Sequence, residues 1–235
     1  MSASWCERTD PGPNDAWQRD VLRIVFRLGW LKAAGTALYI SVFFHYYFVL
    51  IRNPSHPVLM VPLTPFDLWL PFQPWAFWPY VSEWVFICLP AALQPNLPRL
   101  LFHGAAAAVL CAIGIASYYY LPSSFVYATP TWPAGHVGAF LTQMDETRNV
   151  FPSMHVAFAC FACVWLASAM RSMGAPAWLR VANIVWCLLI VYSTLAIKQH
   201  VFWDAAAGLA VGLPWGWASN RWAMSAARNR PAMHG

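Results

Sequence analysis

Three polar residues stand apart in an otherwise strongly apolar chain: His155, His200 and Asp204. His155 closes the stretch Asn149-Val150-Phe151-Pro152-Ser153-Met154-His155 at the head of one apolar run. His200 and Asp204 open another, in Lys198-Gln199-His200-Val201-Phe202-Trp203-Asp204. An ionisable group at membrane depth is costly and marks function by default. On one helix, a spacing of four puts the side chains of His200 and Asp204 on a shared face. The carboxylate can then accept a hydrogen bond from one imidazole nitrogen and leave the other unprotonated, as a nucleophile or base. A second histidine across a cleft, His155, can protonate a leaving oxygen. Backbone N–H groups at Ser153–His155, at a helix start, favour a phosphate, and Pro152 fits the entrance of such a helix. These residues suit phosphoryl transfer, in which positioning and charge stabilisation dominate. Two histidines and a carboxylate could also hold a metal, but the flanking Ser153 and Lys198 suit phosphate better.

The elements that must position these residues are membrane helices. Hydrophobic residues make up 60% of the 235 and charged residues only 10%, against about 25% charged in a soluble domain. Spans of about 20 apolar residues are expected at 32–51, 75–94, 100–120, 154–170, 181–198 and 201–220. The fold class is therefore all-α, a polytopic bundle of about six transmembrane helices. Its expected parts are a cytoplasmic segment over 1–29, the membrane domain over 30–220 and a basic tail over 221–235. Residues 52–74 are rich in proline and aromatics, which opposes a regular helix, and are expected to pack at the surface or re-enter. A longer loop covers 121–153. No motif-level internal repeat is visible, and no pair of broken helices such as an inverted-repeat transporter would carry.

Charge sets the orientation. With the N-terminus in the cytoplasm, eleven Lys and Arg fall on that side and three on the other, Arg52, Arg148 and Lys198. That is the positive-inside bias, and it places both termini in the cytoplasm. His155, His200 and Asp204 then share the non-cytoplasmic face, which is the periplasm of a bacterial inner membrane, or a lumen or exterior elsewhere. The net charge of +5 flanks apolar segments and does not mark a nucleic-acid partner. Residues 15–28 read as an interfacial helix or a solvated one, with Trp17, Val21, Ile24, Val25 and Leu28 opposite Arg19, Arg23 and Arg27. The N-terminal residues lack the apolar core of a cleavable signal. Cys160 and Cys163 form a C-x-x-C inside an apolar run, which reads as packing rather than a zinc or redox site. His45 and His103 read as bonding a neighbouring carbonyl, His136 is undecided, and Asp67 reads as a helix cap after Pro65.

Here the chain resembles the type-2 phosphatidic acid phosphatase superfamily. Phe151-Pro-Ser-Met-His155 is similar to its second signature, P-S-G-H. Ser193, His200 and Asp204 match the third, S-R-x5-H-x3-D, with Thr194 in place of the arginine. Pro65-Phe-Asp67 through Pro71-Phe72 to Tyr80 resembles the branch that includes inositol phosphorylceramide synthases. The resemblance covers about residues 60–215, with the two signatures about 45 residues apart. It implies that His200 attacks phosphorus to form a phosphohistidine, with Asp204 as its partner. It also implies that His155 protonates the leaving alcohol and then activates the acceptor, that Ser153 contacts the phosphate, and that no metal or other cofactor is needed. The first signature, K-x6-R-P, is absent. The phosphate-binding cations are therefore sought among the residues on the right side, and Lys198 and Arg148 are the candidates.

The expected reaction is hydrolysis of a lipid phosphomonoester or pyrophosphate drawn from the bilayer. Transfer of a phosphoryl headgroup to another lipid's hydroxyl uses the same intermediate. A proton-coupled transporter or flippase, with His155, His200 and Asp204 as a relay, is the reading from another class. The sequence names neither the lipid nor the oligomeric state.

Overall fold

The structure, a computed structural model, describes residues 16–127, 131–140 and 150–228. Its helices are α1 (Ala16–Phe26), α2 (Gly29–Arg52), α3 (Pro65–Trp69), α4 (Phe77–Phe86), α5 (Leu89–Ala92), α6 (Leu97–Tyr120), α7 (Met154–Ser172), α8 (Ala177–Ala196) and α9 (Phe202–Arg228). Among the described residues, four are long and apolar enough to cross a membrane: α2, α6, α7 and α8. The chain is an all-α integral membrane protein.

Two expected spans differ in detail. The span expected at 75–94 is divided into α4 and α5, with Ile87 and Cys88 between them. Pro90 causes the break: it has no N–H to donate, and its ring clashes with the carbonyl four residues back. The span expected at 201–220 continues to Arg228, so the boundary expected at 220 falls inside a helix. α9 is long enough to cross, but it carries Pro214 and ends in polar residues that lower its apolar character.

α7 is the centre of the bundle. Of its apolar window 67% is buried, against 6% for α2. Small residues let α9 approach it. Cβ atoms built at Gly208 and Gly212 would run into Ser153 O and Ala157 O, and one at Gly216 would press tightly on Phe161 Cα. Both helices thus meet at four-residue intervals, the close backbone packing that glycine stripes permit in membranes. On its other side, Val156, Cys160 and Leu166 of α7 pack on Cys187 and Ile190 of α8. Trp165 donates its indole N–H to Ser219 Oγ at 3.2 Å, and Trp215 donates to Ala106 O of α6 at 2.7 Å.

α1 has the amphipathic character expected: Trp17, Val21, Ile24 and Val25 are half-buried, while Arg19, Arg23 and Arg27 are exposed. Lys32 joins α1, α2 and α5 by donating from Nζ to Ile24 O at 2.6 Å and Ala92 O at 2.7 Å. At the other end, β1 (Leu59–Met60) pairs in parallel with β2 (Ser123–Ser124), which ties together the chain leaving α2 and the chain leaving α6. Residues 52–74 thus hold short elements rather than a span.

Candidate active site

The site is built at the end of the bundle where α7 and α9 begin. Ser153 is the N-cap of α7, and its Oγ accepts the N–H of Val156 at 3.2 Å. Its own N–H donates to Asp204 O at 3.0 Å, so one hydrogen bond joins the starts of α7 and α9. The Phe151–Pro152 peptide bond before it is cis. Tyr118 OH donates to Pro152 O at 3.2 Å, and the N–H of Phe151 donates to Ser123 Oγ at 2.9 Å. The entrance to α7 is thereby fixed from α6 and β2.

His200 is held by the turn between α8 and α9. The N–H groups of Gln199 and His200 both donate to Thr194 O, each at 3.1 Å. Lys198 takes a left-handed conformation, φ 61°, uncommon for a residue with a side chain. Its buried ammonium group overdetermines that conformation: it donates to Leu70 O at 2.5 Å and to Asp67 O at 2.9 Å, and lies 4.6 Å from the Tyr127 ring centre. The arginine position of the resembled signature, Thr194, has its hydroxyl turned back to Val191 O at 2.8 Å.

Two carboxylates cap α9. Asp204, three residues past the N-cap position, reaches back to accept the N–H of Val201 at 3.1 Å, half of a capping box. Asp67 Oδ1 accepts the next N–H, that of Phe202, at 2.8 Å. The other oxygen of Asp67 accepts from Thr64 N and Thr64 Oγ1, both at 2.7 Å, within the capping box of α3. Asp67 is therefore a cap, as its position after Pro65 led one to expect, and it caps two helices.

His200 and Asp204 do not share a helix. α9 begins at Phe202, and His200 precedes it. His200 Nδ1 faces Asp204 Oδ2 at 3.6 Å, beyond hydrogen-bond length, because that oxygen is engaged in capping. The carboxylate still lies behind the ring and is fully buried.

His155 has a partner the sequence reading passed over. Its Nδ1 lies 2.5 Å from Glu83 Oε2, and its ring stacks on Tyr80 with centroids 4.1 Å apart and planes 10° apart. Glu83 and Tyr80 both come from α4. His155 Nε2 is buried without a hydrogen-bond partner among the described residues, as is Gln199 Oε1. His155, His200, Glu83, Tyr80 and Gln199 line one cavity of about 730 Å³. Glu83 was legible by the criterion that singled out the histidines: it is an acid inside the apolar run 77–93.

Among the described residues, no three His, Cys, Asp or Glu side chains converge as a set able to hold a metal. Arg148 lies outside the described residues. His136 stacks on Trp132 at 4.8 Å and accepts the N–H of Gly138. Among the described residues His103 Nε2 has no hydrogen-bond partner, so it does not take up a carbonyl there; the ring packs against Phe161 and Trp165. The five described cysteines are free thiols.

Comparisons with known proteins agree with this architecture. A family model described as the PAP2 superfamily matches residues 66–228, a range that holds both histidines, Glu83, Asp67 and Asp204. Neither the curated proteins nor the solved structures give a match to this chain. Members of that superfamily are typically phosphatases or phosphotransferases. With its model matched over more than half of the sequence, the chain belongs to the PAP2 superfamily.

Proposed function

We propose that the protein is a lipid phosphate phosphatase that works through a phosphohistidine on His200, without a metal. The observation that carries this reading is that two histidines line one cavity and each is backed by its own buried carboxylate.

In the first step Nε2 of His200 attacks phosphorus. The bond from phosphorus to the lipid oxygen breaks, and His155 gives that oxygen its Nε2 proton. Glu83, on the Nδ1 side, orients His155 and stabilises the imidazolium that donates. Asp204 does the same for the charge that develops on His200. In the second step neutral His155 takes a proton from water, the water oxygen attacks phosphorus, and the P–N bond breaks. Inorganic phosphate leaves, His200 is restored and His155 regains its proton. The sum is lipid phosphate plus water giving lipid alcohol plus phosphate. A base positioned in this way contributes about 10²–10⁴-fold.

Phosphate recognition is assigned to Ser153, whose hydroxyl can donate while it accepts, to the amide of Gln199, and to Arg148. Lys198 was the other candidate cation. With its ammonium on Asp67 O and Leu70 O, it acts on the phosphate chiefly by holding the turn that carries His200. The site faces the non-cytoplasmic side, on the distribution of Lys and Arg.

Headgroup transfer to a lipid alcohol has one observation in its favour. The cavity that holds both histidines is walled largely by apolar side chains of α2 and α6, so an acceptor can arrive from the bilayer. The test is phosphate release by the purified protein in lipid nanodiscs, with a panel of lipid phosphates and a chelator present. Release that His200→Ala abolishes supports the phosphatase. Release only of a new phospholipid, on adding a diacylglycerol or ceramide, replaces it with transfer.

A further inference from the structure

The chain between α2 and α4 turns its polarity inward. Residues 53–75 hold one charged side chain, Asp67. It is buried, at 4% exposed, while its neighbours Leu68 and Trp69 are 66% and 76% exposed. Phe66 is exposed beside them. A connection that runs through water is polar on its outside, and an exposed apolar patch marks an interaction surface. The patch continues onto α9. Trp69 and Phe66, Phe66 and Phe202, and Phe202 and Trp203 touch in turn, with ring centroids 6.0, 6.2 and 5.5 Å apart. None of these five side chains lines the cavity that holds the histidines.

What covers the patch follows from what it joins. Trp203 heads a row of exposed residues on α9, Ala210, Leu213 and Trp217, whose spacing keeps them on one helix face. Gly208, Gly212 and Gly216, which press on α7, lie on the opposite face. The outward row of a bundle helix faces lipid. The patch extends that row at the non-cytoplasmic end, the level at which aromatic side chains sit among headgroups.

The inner side of the same short helix holds the turn that carries His200. Asp67 Oδ1 accepts the N–H of Phe202 at 2.8 Å. Lys198 donates to Asp67 O at 2.9 Å and to Leu70 O at 2.5 Å. The N–H of Gln73 donates to Ala196 O at 2.9 Å, and Leu70 packs with Ala196 and Ile197. α3 thus has lipid-type side chains on one side and the catalytic turn on the other.

We propose that Phe66, Leu68 and Trp69, with Phe202 and Trp203, are seated in the headgroup and upper acyl layer of the non-cytoplasmic leaflet, and that this seating holds the turn of His200 in its working shape. The lipids concerned are bulk bilayer lipids and not the substrate. The effect on turnover rests on the phosphatase reading; the seating and the order of the turn do not. Apolar side chains fix the depth of a helix at an interface. Making them polar lifts α3 towards water, and Asp67 and Leu70 move with it.

The experiment uses the full chain in phosphatidylcholine nanodiscs with a trace of a photoreactive phospholipid, its diazirine either near the acyl carbonyl or at the chain end. Expected is labelling of residues 66–69 and 202–203 by the shallow probe and none by the deep one. Absence of lipid labelling, with the same residues open to hydroxyl radicals from water, overturns the proposal. Protection from both reagents only in discs that hold two copies gives the patch to a second chain and also overturns it. The coupling is read in the double variant Leu68→Gln with Trp69→Gln, beside Tyr120→Gln, an exposed ring outside the bonds to the turn. In the double variant amide hydrogen exchange over 196–202 should quicken, and kcat should fall about tenfold or more, within what a misplaced catalytic group costs. Tyr120→Gln should change neither. Unchanged exchange in a folded double variant that has lost its shallow labelling overturns the coupling. Failure of the wild type to release phosphate strikes the phosphatase reading instead, and labelling and exchange still decide the seating and its hold on the turn.

Discussion

Glu83 Oε2 lies 2.5 Å from Nδ1 of His155, and the imidazole, which lines the cavity, is pressed flat against Tyr80. With Nδ1 engaged by Glu83, the ring nitrogen left without a partner among the described residues is Nε2. Carboxylates that orient histidines in this way are worth about 10–100-fold at metal ligands and more where the histidine itself moves the proton. Glu83→Gln is therefore expected to lower kcat about 10²-fold or more with little change in KM, while Glu83→Asp recovers part of the loss. Steady-state kinetics on folded protein check this. A purely structural role for Glu83 predicts a lower Tm with kcat per folded molecule intact.

Asp67 caps α9 and α3 with its two oxygens, and its carbonyl anchors Lys198. Replacing a cap by alanine costs about 0.5–2 kcal/mol, and here two caps fail together. Asp67→Ala is expected to lower the midpoint of thermal unfolding and to lower kcat at the same time, because the freed turn carries His200. Asp67→Asn, which retains acceptor capacity on one oxygen, should fall between. Melting curves and turnover on the same samples test the coupling.

How much of this was legible in the chain depends on what each residue needs. The helices of the bundle follow from length and apolarity, and His155, His200 and Asp204 stood out because ionisable groups are rare in such runs. Glu83 obeys the same rule but has no charged neighbour in sequence to draw attention to it; its partner is 72 positions away. The pairing of Lys198 with Leu70 and Asp67 was hidden for the same reason. From composition a lysine beside a candidate catalytic histidine reads as a phosphate ligand, and only the tertiary structure brings two carbonyl oxygens to it. The spacing of His200 and Asp204 suggested one helix face, whereas the capping demand at Val201 starts the helix two residues later. Gly208, Gly212 and Gly216 carried their message in plain view as a four-residue repeat on α9.

Lys198 offers a clean division between two roles. A positioning lysine predicts that Lys198→Met lowers Tm and kcat together, since the ammonium group holds a left-handed turn in place. A phosphate ligand predicts a raised KM with Tm unchanged. Kinetics across substrate concentration, read beside differential scanning fluorimetry, tell them apart. The account expects the first outcome.

The contact between α7 and α9 leaves no room for a side chain at Gly212, whose Cβ would run into the backbone of Ala157. Gly212→Val is expected to destabilise the bundle by about 3 kcal/mol or more, at the upper end of overpacking costs, and to abolish folded yield. Gly29→Ala, at an open position, should leave yield and Tm unaltered. Size-exclusion profiles in detergent check both.

The central claim is that His200 carries the phosphoryl group between two half-reactions. The most direct measurement is rapid quench of the protein with a lipid phosphate labelled at phosphorus, followed by mapping of any protein-bound label. The account predicts an alkali-stable, acid-labile label on His200, formed and lost at rates compatible with turnover. His200→Asn should show no label, and Glu83→Gln should show slowed formation. Turnover with no label on His200 at any time, together with inversion of configuration at a chiral phosphorus, would contradict it and point to direct attack by water.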